Sequence, residues 1–231
     1  MEKKELITEM CGGIKMPNND TELVFIIDRS GSMSGFEGDT VGGFNSMIEK
    51  QREEGEGKVY VTTVLFNGRH STLHDRLPIE KVERMTPADC VSSGSTALFD
   101  AIGDTVEHIS MIHKYARPED VPANTVFVIT TDGEENASRK YTRAAVKKMI
   151  GERTEKYGWE FLFVSANIDS EESAAAIGIS EERCASYLQT EEGFAECYAA
   201  MDSFVSMARG SKLSAHDVSW RKDLEKNKKK K

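Results

Sequence analysis

The sequence predicts an α/β fold of the doubly wound, Rossmann-like kind: a mostly parallel central sheet, helices on both faces and one antiparallel edge strand. Short continuous apolar runs, typical of strands buried on both faces, alternate along the chain with stretches of helical periodicity. The turn dipeptide Asn67-Gly68 joins two β-rich segments, which indicates a hairpin. Pro78 follows the second of these segments, so that strand is expected at the edge of the sheet.

Each element has its own signal. The first helix is predicted from Val41, Phe44, Met47 and Ile48, whose spacings of three, three and one place them on one helical face that ends near Gly55. The same periodicity predicts later helices over Thr96–Lys114, Tyr141–Tyr157, Glu171–Ile177 and Glu191–Met207. Apolar and β-branched runs predict strands over Leu23–Asp28, Val59–Phe66, Ser71–Leu77, Thr125–Thr130, Glu160–Ala166 and Cys184–Leu188.

The predicted elements fill residues 21–207, which we assign to one domain. Residues 1–20 are polar and contain Gly-Gly and Asn-Asn pairs, so they are predicted to form a partly ordered lead-in. Residues 208–231 are polar and end in a run of lysines, which predicts a flexible, solvated tail.

Charge and composition limit the classes of partner. The net charge of −9 over 231 residues opposes binding to nucleic acid or to an anionic membrane surface, because both are negatively charged. No run reaches the roughly 18 apolar residues that a membrane helix needs, and the first ten residues lack the apolar core of a secretion signal. The four cysteines are widely spaced and are expected to be reduced thiols. We therefore expect a cytoplasmic protein.

Three polar clusters follow or precede the predicted elements at one edge of the sheet. The first is Asp28-x-Ser30-x-Ser32, directly after the first buried strand. The second is Ser93–Thr96, before a helix, and the third is Thr131–Asn136, after another buried strand. In a doubly wound sheet the functional residues lie beyond the carboxyl ends of the strands, so these clusters are expected to meet.

The combined donors are carboxylates and hydroxyls, which are the ligands that hard divalent cations prefer. Asp28 and Asp132 would offset the charge of one such ion, and neutral hydroxyl ligands would leave it with residual Lewis acidity. Alternate residues of an extended segment point the same way, so Ser30 and Ser32 can face one ion. Gly31 allows the loop to turn tightly. The sequence thus predicts a shared metal site.

Each cluster taken alone has a simpler explanation. Residues 93–96 can cap the helix that follows them, and Asp132-Gly133 can be an ordinary turn. Asp28 alone can bond the amides of its own loop. The metal-site prediction depends on the occurrence of all three clusters in order along one inferred sheet.

The main alternative is a metal-dependent phosphatase or hydrolase that uses Asp28 as its nucleophile. Such phosphatases end a strand in Asp-x-Asp, and here Ser30 replaces the second acid. The elbow of a serine hydrolase needs serine at the centre of Gly-x-Ser-x-Gly, where this chain has Met33. His70 and His74 are predicted to be surface residues on one face of the hairpin strand. No enzymatic activity is expected.

The segments FIIDRSGSM, GSTALFDAI and VFVITTDGEEN resemble the signature segments of bacterial von Willebrand factor type A domains, over roughly residues 20–207. Those domains carry a metal-ion-dependent adhesion site. The resemblance implies that five residues bind the metal ion: Asp28, Ser30, Ser32, Thr96 and Asp132.

The resemblance also implies a binding module. In that family an acidic residue of a partner protein completes the coordination of a bound Mg²⁺ or Mn²⁺ ion. Ca²⁺ is a further option for this chain. The chain is expected to be similar to stand-alone intracellular adaptors. The sequence predicts no particular oligomeric state. Residues of the ligand-bearing loops that are not needed as ligands are expected to form a partner-contacting rim: Arg29, Met33, Phe36, Glu134 and Glu135.

Overall fold

The computed structural model describes residues 18–55, 57–166, 170–210, 212–222 and 224. Its strands are Thr21–Asp28 (β1), Val59–Phe66 (β2), His70–Pro78 (β3), Asn124–Thr131 (β4), Glu160–Ser165 (β5) and Cys184–Ser186 (β6). Its α-helices are Glu37–Glu53 (α1), Leu98–Tyr115 (α2), Arg143–Tyr157 (α3), Ser170–Ala176 (α4) and Glu191–Arg209 (α5). The elements match the prediction in kind and order, and their ends differ by a few residues.

The strands of the described chain form one six-stranded sheet in the order β3-β2-β1-β4-β5-β6. Neighbouring strands pair in parallel, except that β2 and β3 form an antiparallel hairpin at one edge. The chain moves outward from β1 to β3, returns to β4 and then moves to the other edge, so the strand order reverses between β1 and β4. The predicted fold class is confirmed, and the reversal point is where such sheets bind ligands.

The core lies on both faces of the sheet, as β1 illustrates. Leu23, Phe25 and Ile27 belong to the layer shared with α1 and α5. Val24 and Ile26 belong to the layer shared with α2 and α3. All five are at most 1% exposed, and each stabilises the fold by about 1.5–3 kcal/mol on burial. Burial on both faces explains the continuous apolar run from Leu23 to Ile27.

The prediction that His70 and His74 share an exposed face of β3 is wrong. Two register shifts in β3 pair His70 with Phe66 and His74 with Thr63, and these two positions of β2 face opposite sides of the sheet. His74 is therefore buried, where it stacks on Phe44 and its Nδ1 lies 3.1 Å from Thr63 Oγ1. Burial lowers the pKa of His74, which favours the neutral imidazole.

The flexible tail was predicted to begin at residue 208, but residues 212–222 pack against α5 and β6. Trp220 is 3% exposed, and its ring meets the ring of Phe204 edge-on at 5.4 Å between centroids. The Arg221 guanidinium donates a hydrogen bond to the Cys184 carbonyl in β6. This segment covers the short edge strand, as exposed strand edges require. The lysine-rich end beyond residue 224 lies outside the described residues.

Most of the predicted lead-in, residues 1–17, also lies outside the described residues. The last part of it is held in place, because Asn18 Nδ2 donates to the Glu119 carbonyl at 2.9 Å and Asp20 Oδ1 accepts from the Lys58 amide at 2.8 Å. Within the described ranges, no helix combines the length and the apolar character that crossing a membrane requires.

Candidate metal centre

Asp28 ends β1 at the reversal point of the sheet, beside the end of β4. Its side chain is fully buried, and both carboxylate oxygens accept hydrogen bonds. Oδ1 accepts from the Ser30 amide at 2.6 Å, which closes a tight turn, and Oδ2 accepts from Thr131 Oγ1 at 2.6 Å. Because Ile27 pairs with Thr130 in the parallel register, Thr131 necessarily lies next to Asp28. The first carboxylate of the site is therefore held from two strands.

Ser30 and Ser32 connect this carboxylate to the second one. A short 3-10 turn, Gly31–Met33, brings their hydroxyl oxygens to within 3.0 Å of each other. Ser32 Oγ donates to Asp132 Oδ1 at 2.6 Å, across a sequence separation of 100 residues. Ser30 is buried and Ser32 is exposed, so this row of polar atoms runs from the core to the surface.

Thr96 enters from the second loop, which backbone hydrogen bonds tie to the other two. The Gly31 amide donates to the Gly94 carbonyl at 3.0 Å, which joins the second loop to the first. The Thr96 amide donates to Asn136 Oδ1 at 3.0 Å, and the Thr96 carbonyl accepts from the Asn136 amide, which joins it to the third. The predicted meeting of the three loops is thus what the structure shows.

Gly133 marks the centre of the convergence. A methyl group built on its Cα would lie 2.7 Å from Thr96 Oγ1, 3.2 Å from Ser32 Oγ and 3.4 Å from Ser30 Oγ. Three hydroxyls therefore surround a position that only glycine leaves open, and the Asp132 carboxylate adjoins them through Ser32. Asp28 is joined to the same group of residues through the Ser30 amide.

The electrostatics of the centre are unfavourable without a cation. Burial raises the pKa of Asp132, and the nearby Asp28 charge raises it further, while the hydrogen bond from Ser32 acts in the opposite direction. Two negative charges in a buried space repel each other. A divalent cation between them would remove both penalties and favour the ionised carboxylates.

The donor set fits a hard divalent cation. Mg²⁺ takes about six oxygen ligands and usually keeps some waters, and this centre supplies two carboxylates and three hydroxyls. Nowhere in the described residues do three or more His, Cys, Asp and Glu side chains gather as a metal cluster. The donors are instead mostly neutral oxygens, which suit Mg²⁺, Mn²⁺ or Ca²⁺ better than ions that prefer thiolate or imidazole.

The five predicted rim residues have different surroundings, and three of them brace the site. Arg29 donates to the Asp89 carbonyl at 3.0 Å and to Ser71 Oγ at 3.1 Å. Met33 is buried in the core, and Phe36 stacks on an aromatic ring of α5 at 4.9 Å. Met33 therefore offers no surface to a partner, which corrects that part of the prediction.

The two glutamates of the third loop also differ. Glu135 accepts hydrogen bonds from the Phe99 amide at 2.9 Å and from the Ala137 and Ser138 amides at 2.9 and 2.7 Å. Its carboxylate thus caps the first turn of α2 and its own loop, where a negative charge is favourable. Glu134 is exposed at the surface of this face. Of the two, Glu134 is the one available to a partner.

The sequence did not reveal the roles of Thr131, Gly133 and Gln189. Thr131 and Gly133 belong to the third cluster, but nothing in their identity distinguished a site role from that of a turn. Gln189 lies between β6 and α5, and its Nε2 donates to Asp132 Oδ2 at 2.8 Å. No motif signals this contact, because it depends on the packing of residues 57 positions apart.

The enzymatic alternatives find little support in this geometry. Both oxygens of Asp28 are engaged in a fully buried position, whereas a nucleophile needs an accessible one. All five histidines lie in the described residues and contact side chains other than Asp28: His74 contacts Thr63, His70 contacts Asp104, His108 contacts Asp75, His113 contacts Glu22 and His216 contacts Glu182.

No protein-family model matches the chain, and no curated protein matches it. Solved structures do. The chain is similar to proximal thread matrix protein 1 from the mussel byssus with a zinc-occupied MIDAS motif, with 14% identity and a TM-score of 0.55 over 82% of this chain and 46% of that one. It is similar to a von Willebrand factor type A protein from Catenulispora acidiphila, with 12% identity and a TM-score of 0.53 over 83% and 43%.

A third similar structure is manganese-loaded TRAP protein from Plasmodium vivax, with 12% identity and a TM-score of 0.53 over 78% of this chain and 75% of that one. The chain thus spans less than half the length of the first two structures and three quarters of the third. Identities this low establish the fold only. Together with the strand order, they show that this chain has the von Willebrand factor type A fold.

Proposed function

We propose that this chain is a metal-dependent protein-interaction module. Asp28, Ser30, Ser32, Thr96 and Asp132 hold Mg²⁺ or Mn²⁺, and an aspartate or glutamate of a partner protein completes the coordination. Ca²⁺ is a weaker candidate for the same site. The observation that carries the proposal is the convergence of three hydroxyls on the open space at Gly133, next to two carboxylates.

The residues of this chain have separate tasks in such a site. Asp28, fixed by Ser30 and Thr131, supplies buried negative charge. The hydroxyls of Ser32 and Thr96 supply neutral oxygens, so the charge of the ion is not fully neutralised by the protein. Ser32 is exposed, so the site opens to the outside at that point. When bound, the ion supplies a Lewis acid for a carboxylate ligand.

Similar structures support the metal but not its identity. One of them holds zinc in a MIDAS motif, and another is manganese-loaded. We extend this to a divalent ion here, because this chain has the same fold and brings hydroxyls and carboxylates together at one edge of its sheet. We also propose a cytoplasmic adaptor with a protein partner and without nucleic acid binding, consistent with the net charge of −9. No oligomeric state is proposed.

The Asp28→Asn variant tests this function through capture of partners. Immobilised wild type is expected to retain a protein from lysate in Mg²⁺ and to release it in chelator, because the ion bridges the two proteins. Asp28→Asn removes one ionised ligand and is expected to lower the retained amount at least tenfold, measured by quantitative mass spectrometry.

The matched control is Asp39→Asn on α1. It makes the same chemical change in the first turn of the helix that follows the loop of Ser30 and Ser32. The control is expected to retain the partner as well as wild type does. Retention that is equal with and without chelator, or equal in Asp28→Asn and wild type, would contradict the proposed function. Steady phosphatase turnover in Mg²⁺ that Asp28→Asn abolishes would instead favour the hydrolase alternative.

A further inference from the structure

Gln189 contacts the site from a direction that the three ligand loops do not use. The carboxyl ends of β4, β5 and β6 lie side by side, because Thr131 pairs with Ser165 and Ser165 with Ser186. Asp132 is one residue beyond this row and Gln189 is three residues beyond it. The loop from β6 to α5 therefore crosses β5 and reaches the metal centre.

This loop is fixed at both ends, so Gln189 has a defined position. The Tyr187 amide donates to the Ser165 carbonyl at 3.0 Å, and Tyr187 is buried. Thr190 caps α5 by accepting from the Gly193 amide at 3.1 Å. A methyl group on Gly193 would lie 2.1 Å from the Leu188 carbonyl oxygen, so the loop lies tightly against the first turn of the helix.

The two oxygens of Asp132 are consequently used differently. Oδ1 accepts from Ser32 at 2.6 Å and so faces the hydroxyls that converge on Gly133. Oδ2 accepts from Gln189 Nε2 at 2.8 Å. An amide donor on Oδ2 holds the carboxylate in one rotation and leaves a single oxygen toward the centre.

A carboxylate that presents one oxygen selects between cations. Mg²⁺ demands near-ideal octahedral geometry and takes carboxylates through one oxygen, whereas Ca²⁺ accepts six to eight ligands and readily binds both oxygens of a carboxylate. Resting on the proposed metal site, we infer that Gln189 is a positioning residue that sets the preference for Mg²⁺ over Ca²⁺ by holding Asp132 Oδ2.

The test compares wild type with Gln189→Met, which keeps the length of the side chain and removes the amide donor. Dissociation constants for Mg²⁺ and for Ca²⁺ are measured by calorimetry on the full chain. Loss of an outer partner of a metal ligand typically weakens binding 10–100-fold. We expect Mg²⁺ binding to weaken about tenfold and Ca²⁺ binding to weaken less or to improve, so the ratio of the two constants changes at least fivefold.

Leu188→Ala, in the same loop and also exposed, is the control and is expected to leave the ratio unchanged. A Gln189→Met variant that weakens both ions equally, or neither, overturns the selectivity role and leaves the proposed function intact. A wild type that binds neither ion overturns both. Because Gln189 is exposed, the thermal midpoint of the metal-free variant is expected to match that of wild type, which separates selectivity from a loss of folding.

Discussion

Gly133→Ala is expected to abolish divalent metal binding while the protein stays folded. The added methyl group would lie 2.7 Å from Thr96 Oγ1 and within 3.4 Å of the hydroxyls of Ser30 and Ser32, so it would fill the space that we propose for the ion. Gly133 is not among the glycines with positive φ, so alanine adopts this backbone without strain. Every predicted ligand remains in the chain. We expect the affinity for Mg²⁺ and Mn²⁺ to fall by about 100-fold or more, the upper end of losses caused by disturbing ligand surroundings.

Gly151→Ala in α3 is the control for this variant. A methyl group there meets no atom within 4 Å, and alanine in a helix is favoured over glycine by about 0.5–1 kcal/mol. The control is expected to bind metal normally and to be slightly more stable than wild type. Titration calorimetry and thermal unfolding check both variants. Normal metal binding by Gly133→Ala would contradict a metal position beside Gly133.

Arg76→Met is expected to cause the largest loss of stability among the single changes considered. Glu22 is fully buried at the start of β1, and its Oε2 lies 2.8 Å from Arg76 Nε and 3.3 Å from His113 Nε2. Arg76 holds this position with a φ of 48° in the irregular part of β3, and its guanidinium also lies over the Tyr60 ring at 4.8 Å. Removing one partner leaves the other charge buried, so the free energy of unfolding is expected to fall by about 3–5 kcal/mol.

Denaturant unfolding measures this loss, with Arg84→Met as the control. Arg84 pairs with Glu49 at the surface, where loss of an ion pair costs at most about 1 kcal/mol. The double variant Glu22→Gln with Arg76→Met is expected to be more stable than Arg76→Met alone, because it no longer buries a carboxylate that has lost its arginine. Equal losses for Arg76→Met and Arg84→Met would show that the buried pair does not stabilise the fold.

The order of elements could be predicted because it depends on local patterns. The apolar run ending at Asp28 indicated a strand buried on both faces, and Asn67-Gly68 with Pro78 indicated the edge hairpin. The burial of His74 could not be predicted, because it follows from register shifts that only the pairing with β2 reveals. The packing of Trp220 against Phe204 could not be predicted either, because a single aromatic residue in a polar segment forms no periodic pattern.

The candidate site shows the same division. The five ligand residues could be proposed because hydroxyls and carboxylates recur in three loops and match the segments that resemble the von Willebrand factor type A signature. The structure brings these loops together, and their binding of a metal stays a prediction. The hydrogen bond from Gln189 to Asp132 could not be predicted from the sequence, because it depends on the alignment of β4, β5 and β6. Glu135 was predicted to be a rim residue because of its charge and its position in the third loop, but its carboxylate accepts hydrogen bonds from backbone amides. Sequence indicates donors and acceptors, and packing decides which of them meet.

Calorimetric titration of Mg²⁺ and Mn²⁺ into wild type, Asp28→Asn and Thr96→Val tests the central claim most directly. Thr96→Val removes one hydroxyl with little change of shape, and Asp28→Asn removes one negative charge. The metal-centre account predicts one ion per chain for wild type and a loss of at least tenfold in affinity for each variant. Absence of binding to wild type, or equal binding by all three proteins, would contradict it.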